Sequence, residues 1–368
     1  MSNSTSQQLR QHEPAPTDLE RLFSDSLTAA RLPRFTSLGL LVLSFAVAAL
    51  FDVITGHNGL ARLAVIGVLL YLIVHFIVAR AVEGGRPATD GLARDLVTLA
   101  FIVALIPLIS LIFETLKQGL VRFDADYFTK SMWGVINTGG GAAHAIQGTL
   151  IVTALSTIIS VPIGLFTAIY LVEYGHGRLS RAITLLVDVM TGIPSIVAGL
   201  FAYSLFVLIV GVAQARMGFT GAVSLCVLMI PYVVRSAEEM LSLVPNSLRE
   251  ASYALGVTKW LTIVRIVIPT ALSGIVSGVV IAIARVIGET APLLITAGFV
   301  NWKNPNPFSG EMTTLPVFVY NQVMVPGVPQ QPFYDRAWTG ALVLILIVMV
   351  LNLLGRFISA RFSPKTKK

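Results

Sequence analysis

Pro245-Asn246-Ser247-Leu248-Arg249-Glu250-Ala251-Ser252-Tyr253-Ala254-Leu255-Gly256 opens the stretch that decides how this chain is read. It continues through Ile266-Val267-Ile268-Pro269 into a long apolar run holding Arg285, Gly288, Glu289, Thr290, Ala291 and Pro292, and ends near Gly298. Ser247 followed three residues later by Glu250 has the pattern of a capping box, so a helix is expected to start there. Gly256 stands about two turns on, where glycine accepts the left-handed backbone that ends a helix. Val257 to Ile268 is expected as a second helix with Trp260, Ile263, Val264 and Val267 on one apolar stripe. Pro269 is expected at the junction with the apolar run. A short polar elbow thus precedes an apolar segment with charges inside it.

The wider composition explains that segment. Of 368 residues, 55% are hydrophobic and 12% charged, about half the charged fraction of a soluble domain. The mean hydropathy is +0.80. This is the composition of a polytopic membrane protein. A spanning helix takes about 20 apolar residues, and about eight such segments occur: Thr36–Ile54, Leu63–Ala79, Leu96–Phe113, Ile146–Leu171, Ile193–Val212, Gly218–Val234, Thr270–Gly298 and Trp338–Leu354. None alternates as the strands of a closed barrel would, so an all-α fold is expected. Residues 1–35 read as a mostly disordered polar tail with a short helix near Asp18 to Ala30 and no signal peptide.

Basic residues orient the spans. With the N-terminus inside, the inner segments hold Arg80, Arg86 and Arg94, then Arg178 and Arg181, then Arg235, Arg249, Lys259 and Arg265, then Arg356, Arg361 and the terminal lysines. Only Arg62, Lys117, Arg122, Lys130, Arg216, Lys303 and Arg336 fall outside. Both termini and the Glu250 elbow are therefore expected in the cytoplasm. The net charge of +7 reports this bias and is no sign of a nucleic-acid partner. Cys226 is the lone cysteine, so neither a disulfide framework nor a cysteine-rich metal site is expected. Two outer segments, Glu114–Ala145 and the proline-rich Phe299–Ala337, either receive an external partner or merely connect helices.

The elbow resembles the EAA loop of ABC-importer permeases: Glu-Ala-Ala, three residues, Gly, nine residues, then Ile-x-Leu-Pro. Glu250, Ala251, Gly256, Ile266 and Pro269 match in register, while Ser252 and Ile268 depart. Four further stretches narrow the resemblance: Tyr170-Leu171-Val172-Glu173-Tyr174-Gly175; Asp188 with Pro194-Ser195-Ile196-Val197-Ala198-Gly199-Leu200-Phe201; Val234-Arg235-Ser236-Ala237-Glu238-Glu239-Met240-Leu241; and Ala284-Arg285-Val286-Ile287-Gly288-Glu289-Thr290-Ala291-Pro292-Leu293-Leu294. Together they are similar to the PstA-type permease of bacterial phosphate ABC transporters. The resemblance implies a six-helix type-1 core over residues 96–360, with its transmembrane domain at about 144–357. Residues 36–95 would be an added two-helix hairpin, and 361–368 a basic tail. It also implies ATP-driven import of inorganic phosphate across the bacterial cytoplasmic membrane. The partners would be a PstC-type permease, two PstB-type ATPase subunits and an external PstS-type phosphate-binding protein.

The residues themselves limit the chemistry. There is no Gly-Lys dipeptide and hence no Walker A loop, and HExxH and CxxC are absent. No catalytic constellation or cofactor is expected, and any ATP is hydrolysed by another chain. On the EAA reading, Ala251, Ala254 and Gly256 keep the docked surface narrow beside Ser252. Arg249, Glu250 and Lys259 supply its polar contacts, although Glu250 equally serves as a cap. Arg285 lies ~22 Å from the inner end of its span. A charge there facing lipid costs at least ~3 kcal/mol, so it is expected to face the bundle or a water path. Its planar fork suits phosphate, but Glu289 four residues on is a ready ion-pair partner. Thr290 adds a hydroxyl to the same stretch. Gly288 and Pro292 are expected to kink or break a helix that would otherwise be ~43 Å long. Arg235 either attracts departing phosphate or anchors the interface. His75, within the second span, either titrates or bonds a neighbouring helix. Competing readings are a permease for sulfate or molybdate, and a secondary transporter in which Glu289 carries protons.

Overall fold

A computed structural model describes Leu32–Phe362, apart from Arg34, His57 and Asn58. The N-terminal and C-terminal tail expectations fall outside the described residues. Every regular element among the described residues is helical, as lipid requires of a chain that must satisfy its own backbone. The chain divides into two compact units at Ser110.

The first unit begins with a hairpin, α1 (Thr36–Thr55) and α2 (Leu60–Val82), followed by the start of α3 (Gly85–Gly119). Polar groups inside it are paired. Asp52 receives the Arg62 guanidinium at 2.6 Å across the hairpin turn. His75 is buried, bonds Asp95 of α3 through Nδ1 and stacks on the Tyr71 ring at 5.4 Å. Of the two expectations for His75, the bond to a neighbouring helix is the one observed.

The second unit runs on through α4 (Ala125–Thr129) and α5 (Ala143–Tyr174), whose last turn, Tyr170–Tyr174, is π-helical. Then come α6 (Gly177–Thr191), α7 (Ser195–Val210), α8 (Gly218–Ser242) and α9 (Asn246–Ala254). The long α10 (Lys259–Val286) contains a second π turn at Ile263–Val267. The short α11 (Ala291–Thr296), α12 (Leu315–Met324) and the 32-residue α13 (Gln331–Phe362) complete the unit.

Helix α8 is the hub. Two thirds of its apolar window is buried, and α5, α7 and α10 all pack against it. Small residues set the spacing. A Cβ on Gly164 would lie 2.7 Å from Val233, and one on Gly278 would overlap Ser236. Close backbone approach of this kind replaces the hydrophobic drive that lipid cannot supply. Among the described residues seven helices are long and apolar enough to cross a membrane, or up to eight if the bent pair α6–α7 counts as one.

Two expectations change here. The apolar run Ile193–Val212 does not form a full span: α7 has 16 residues, ~24 Å against a core of ~30 Å, and it meets α6 at 110°. The break falls at Pro194, whose ring cannot continue a preceding helix. Secondly, Pro269 marks no junction. It sits in the first turn of the α-helical part of α10, where the π turn before it leaves its missing N–H unneeded. The expected stripe divides accordingly: Ile263 and Val267 are fully buried, whereas Trp260 and Val264 are exposed.

The segment Phe299–Ala337 packs onto the bundle through α12, as a segment that connects helices and caps the bundle would. Leu315, Pro316, Val317, Phe318 and Gln322 of α12 are buried. Arg336, expected among the outer charges, is fully buried. Its guanidinium donates to Gln322 Oε1 at 2.9 Å and to the Asn137 carbonyl at 2.8 Å, and lies 4.4 Å from the Phe333 ring centroid.

Candidate functional site

The charged apolar run does break. Helix α10 stops at Val286 and α11 begins at Ala291, with Pro292 in its first turn and Thr290 at its N-cap. Proline lacks the N–H that would bond the residue four back, here Gly288, and its ring crowds that carbonyl. Gly288 adds no side chain to resist the turn. The short α11 is then pressed onto α7, where Gly199 is buried against Pro292.

Beside the break lies a pocket of about 260 Å³ lined by Thr191 of α6, Ser195 of α7, Leu228 and Tyr232 of α8, and Arg285 and Glu289. Arg285 holds its guanidinium carbon 4.3 Å from the Tyr232 ring centroid. Among the described residues no carboxylate lies within ion-pair distance of it. The expected Arg285–Glu289 ion pair is therefore absent. Spacing of four brings two side chains together only on a continuous helix, and here the helix ends between them. The first turn of α7 faces the same pocket through Ser195. Its leading amides have no intrahelical acceptor, and no side chain caps them.

Two expected path residues stand apart. Thr290 is half-buried and is not part of the lining. Arg235, one turn beyond Tyr232 on α8, is held by Glu238 at 2.7 Å and by Asp188 of α6. It fastens α6 to α8 and does not reach the pocket.

The elbow also departs from its expected construction. Helix α9 starts two residues early, with Pro245 in place of Ser247 at the N-cap, and no side chain caps it. Ser247 lies inside the first turn, so the capping box does not form; Pro245 presets the backbone instead. The C-terminal signal holds: Gly256 has φ 76° and its amide bonds the Tyr253 carbonyl at 2.9 Å.

The coupling residues fall into two sets. Glu250, Ala251, Ala254 and Gly256 are exposed, beside Tyr253, Leu255 and Trp260. Among the described residues Glu250 has no side-chain partner, so its carboxylate is open to one from outside. Ser252 faces inward and shares a hydrogen bond of 2.8 Å with Thr262 of α10. Arg249, expected as an outer contact, also turns inward, while Lys259 stays exposed with its ammonium bonded to the Glu173 backbone carbonyl. Arg249 donates to the Glu173 carboxylate at 2.8 Å. The buried carboxylate at the end of α5 takes Arg249, and the carbonyl of the same residue takes Lys259.

Glu173 and Tyr232 are the residues that sequence reasoning missed. Glu173 gave a signal, a lone carboxylate closing an apolar helix within a quoted motif. Tyr232 gave none, because its role depends on α8 crossing α10.

The family described as "binding-protein-dependent transport system inner membrane component" matches residues 160–368. Phosphate transport system permease protein PstA 1 of Mycobacterium tuberculosis H37Rv is 44% identical over 291 residues, covering 77% of this chain and 93% of the relative. The PstA protein of Yersinia pestis is 36% identical over 283 residues, covering 77% and 94%. A chain of the bacterial alginate ABC transporter, solved with its alginate pentasaccharide-bound periplasmic protein, aligns with TM-score 0.54 and 15% identity over 76% of this chain and 99% of that one. At that identity the likeness concerns the fold alone. With a multi-span helical fold, a charged pocket at a helix break and relatives matched almost end to end, the chain belongs to the PstA family of phosphate transport system permeases, inner membrane components of binding-protein-dependent transport systems.

Proposed function

We propose that this chain forms half of a transmembrane path for inorganic phosphate in an ATP-driven importer, with Arg285 as the group that receives the anion. The observation that carries this reading is a guanidinium within an apolar helix that has an aromatic face but no carboxylate partner, in a chain whose relatives are phosphate permeases. A charge in that position needs a compensating anion or water. A phosphate dianion supplies two oxygens at the spacing of the guanidinium fork. The uncapped first turn of α7 adds partial positive charge on the other side of the pocket. Glu289 lines the same space and repels the dianion. Attraction and repulsion in one small pocket keep binding weak enough for release, which permeation requires.

The basic-residue bias supports cytoplasmic termini and a cytoplasmic elbow. The outward set, Glu250, Ala251, Ala254 and Gly256, then meets an ATPase of the PstB type. A PstC-type permease completes the path, and a PstS-type protein delivers phosphate from outside. The chain's own residues bind no nucleotide: they hold the anion and transmit motion.

The test is phosphate uptake into vesicles containing the full complex. Uptake is expected to require ATP, to resist competition by sulfate and molybdate, and to disappear in Arg285→Gln with assembly intact. Uptake by this chain alone without nucleotide, or normal uptake by Arg285→Gln, would overturn the reading.

A further inference from the structure

Glu173 has no place in the transport path, yet the elbow is fastened to it. Its side chain is 5% exposed. It lies in the π turn that ends α5. Arg249 of α9 donates to its Oε1 from Nε at 3.0 Å and from Nη2 at 2.8 Å. The same guanidinium donates to the carbonyls of Leu241 at 3.0 Å and Val244 at 2.6 Å, at the end of α8. Lys259, the first residue of α10, bonds the Glu173 carbonyl and sits 4.6 Å from the Tyr174 ring centroid. Four helices therefore meet at one carboxylate and its carbonyl.

The surroundings set what can move. Below this junction Ile169, Leu241, Val244, Ile263 and Val267 form one buried cluster. Both π turns, Tyr170–Tyr174 and Ile263–Val267, adjoin it. A π turn has one residue too many for regular hydrogen bonding and is often placed where a helix must change its pitch. The outward face of α9 is free of such ties. A force applied to Glu250 or Ala251 thus reaches α5 and α8 through Arg249 and Glu173, and α10 through the Ser252–Thr262 hydrogen bond and the backbone turn at Gly256.

We propose that Glu173 is the positioning residue that converts displacement of the elbow into movement of α5 and α8. It contacts neither substrate nor nucleotide. It makes the elbow a clamped lever, and without it α9 moves on its Gly256 hinge while α5 stays still. This rests on the transporter reading above, and it adds a residue and a direction of transmission to it.

The experiment uses the full complex with its co-purifying ATPase. The first readout is hydrogen exchange at Tyr170–Gly175 with and without ATP. The second is ATPase rate with and without phosphate-loaded binding protein. Wild type is expected to change exchange at Tyr170–Gly175 on ATP addition. Glu173→Gln is expected to assemble, keep its basal ATPase rate and lose both the exchange response and about tenfold of the stimulation, within the usual range of coupling between sites. Glu173→Asp, which keeps the carboxylate and leaves the Arg249 bonds to the Leu241 and Val244 carbonyls in place, is expected to retain at least half of each. A Glu173→Gln complex with unchanged exchange response and stimulation would overturn the proposal. So would a Glu173→Asp complex that assembles as wild type does but loses the exchange response as fully as Glu173→Gln. If wild type shows the exchange response but no stimulation by phosphate, the substrate reading fails and the lever stands.

Discussion

Gly199 of α7 and Pro292 of α11 meet without a side chain between them: a Cβ on Gly199 would lie 2.7 Å from the Pro292 Cα. This contact holds the broken end of the charged helix against α7, beside the pocket that Ser195 and Glu289 line. Gly199→Val is expected to destabilise the chain by ~1–3 kcal/mol through overpacking, and to abolish uptake while the elbow keeps its ATPase. Thermal unfolding in detergent and co-purification check the two parts.

The Tyr232 ring under Arg285 gives a graded test. Tyr232→Phe keeps a π face and is expected to retain uptake, whereas Tyr232→Leu removes an interaction of ~0.5–2 kcal/mol. Uptake kinetics of the two variants should separate by roughly 2- to 30-fold in apparent phosphate affinity. Equal kinetics would show that the ring does not position the guanidinium.

Ser252 and Thr262 share a buried hydrogen bond between the elbow and α10. Thr262 Oγ1 also donates to the Thr258 carbonyl at 3.2 Å, so Ser252→Ala leaves it a partner and should cost only ~0.5–1.5 kcal/mol, whereas Thr262→Val leaves the Ser252 hydroxyl unsatisfied and should cost ~1–3 kcal/mol. Ser252→Ala with Thr262→Val restores a dry contact and is therefore expected to be more stable than Thr262→Val alone, as read by thermal unfolding.

Arg336 anchors the segment before α13 to the 137–139 loop through carbonyls and Gln322. Arg336→Ala should lower the unfolding temperature by several degrees, since it empties a buried site and orphans its acceptors. Gln322→Ala should do so less, because one acceptor is lost and two carbonyls remain. Limited proteolysis of the 299–337 segment should speed up in both, in the same order.

The outer face of the elbow is the complementary case. Ala251→Trp or Glu250→Lys adds bulk or reverses charge where nothing in this chain is touched. Each is expected to leave unfolding unchanged and to remove the ATPase from the purified complex.

The spans other than Ile193–Val212, and the break, were legible in the sequence because they follow from local chemistry: apolar length, Gly288 and Pro292. The end of α9 at Gly256 was legible for the same reason. Its start was not: the capping-box spacing pointed to Ser247, whereas the helix begins at Asn246 after Pro245. The Arg285–Glu289 pair failed because a spacing rule for intact helices was applied across a break. Arg249 was read as outward because the EAA resemblance put it on the docked surface. A buried carboxylate 76 residues from Arg249 in the chain reversed that, and no local pattern reports such a distance. Arg336 escaped in the same way.

Helix α10 carries Lys259 at one end and Arg285 near the other. Some 39 Å of uninterrupted backbone separates them, so a tilt of about 5° at the base sweeps the guanidinium through roughly 3 Å. On the proposed function, the handle and the anion's landing place are two ends of one rod. Tuning how tightly phosphate is held would then also tune how hard the motor must push, and selection on either trait would drag the other with it.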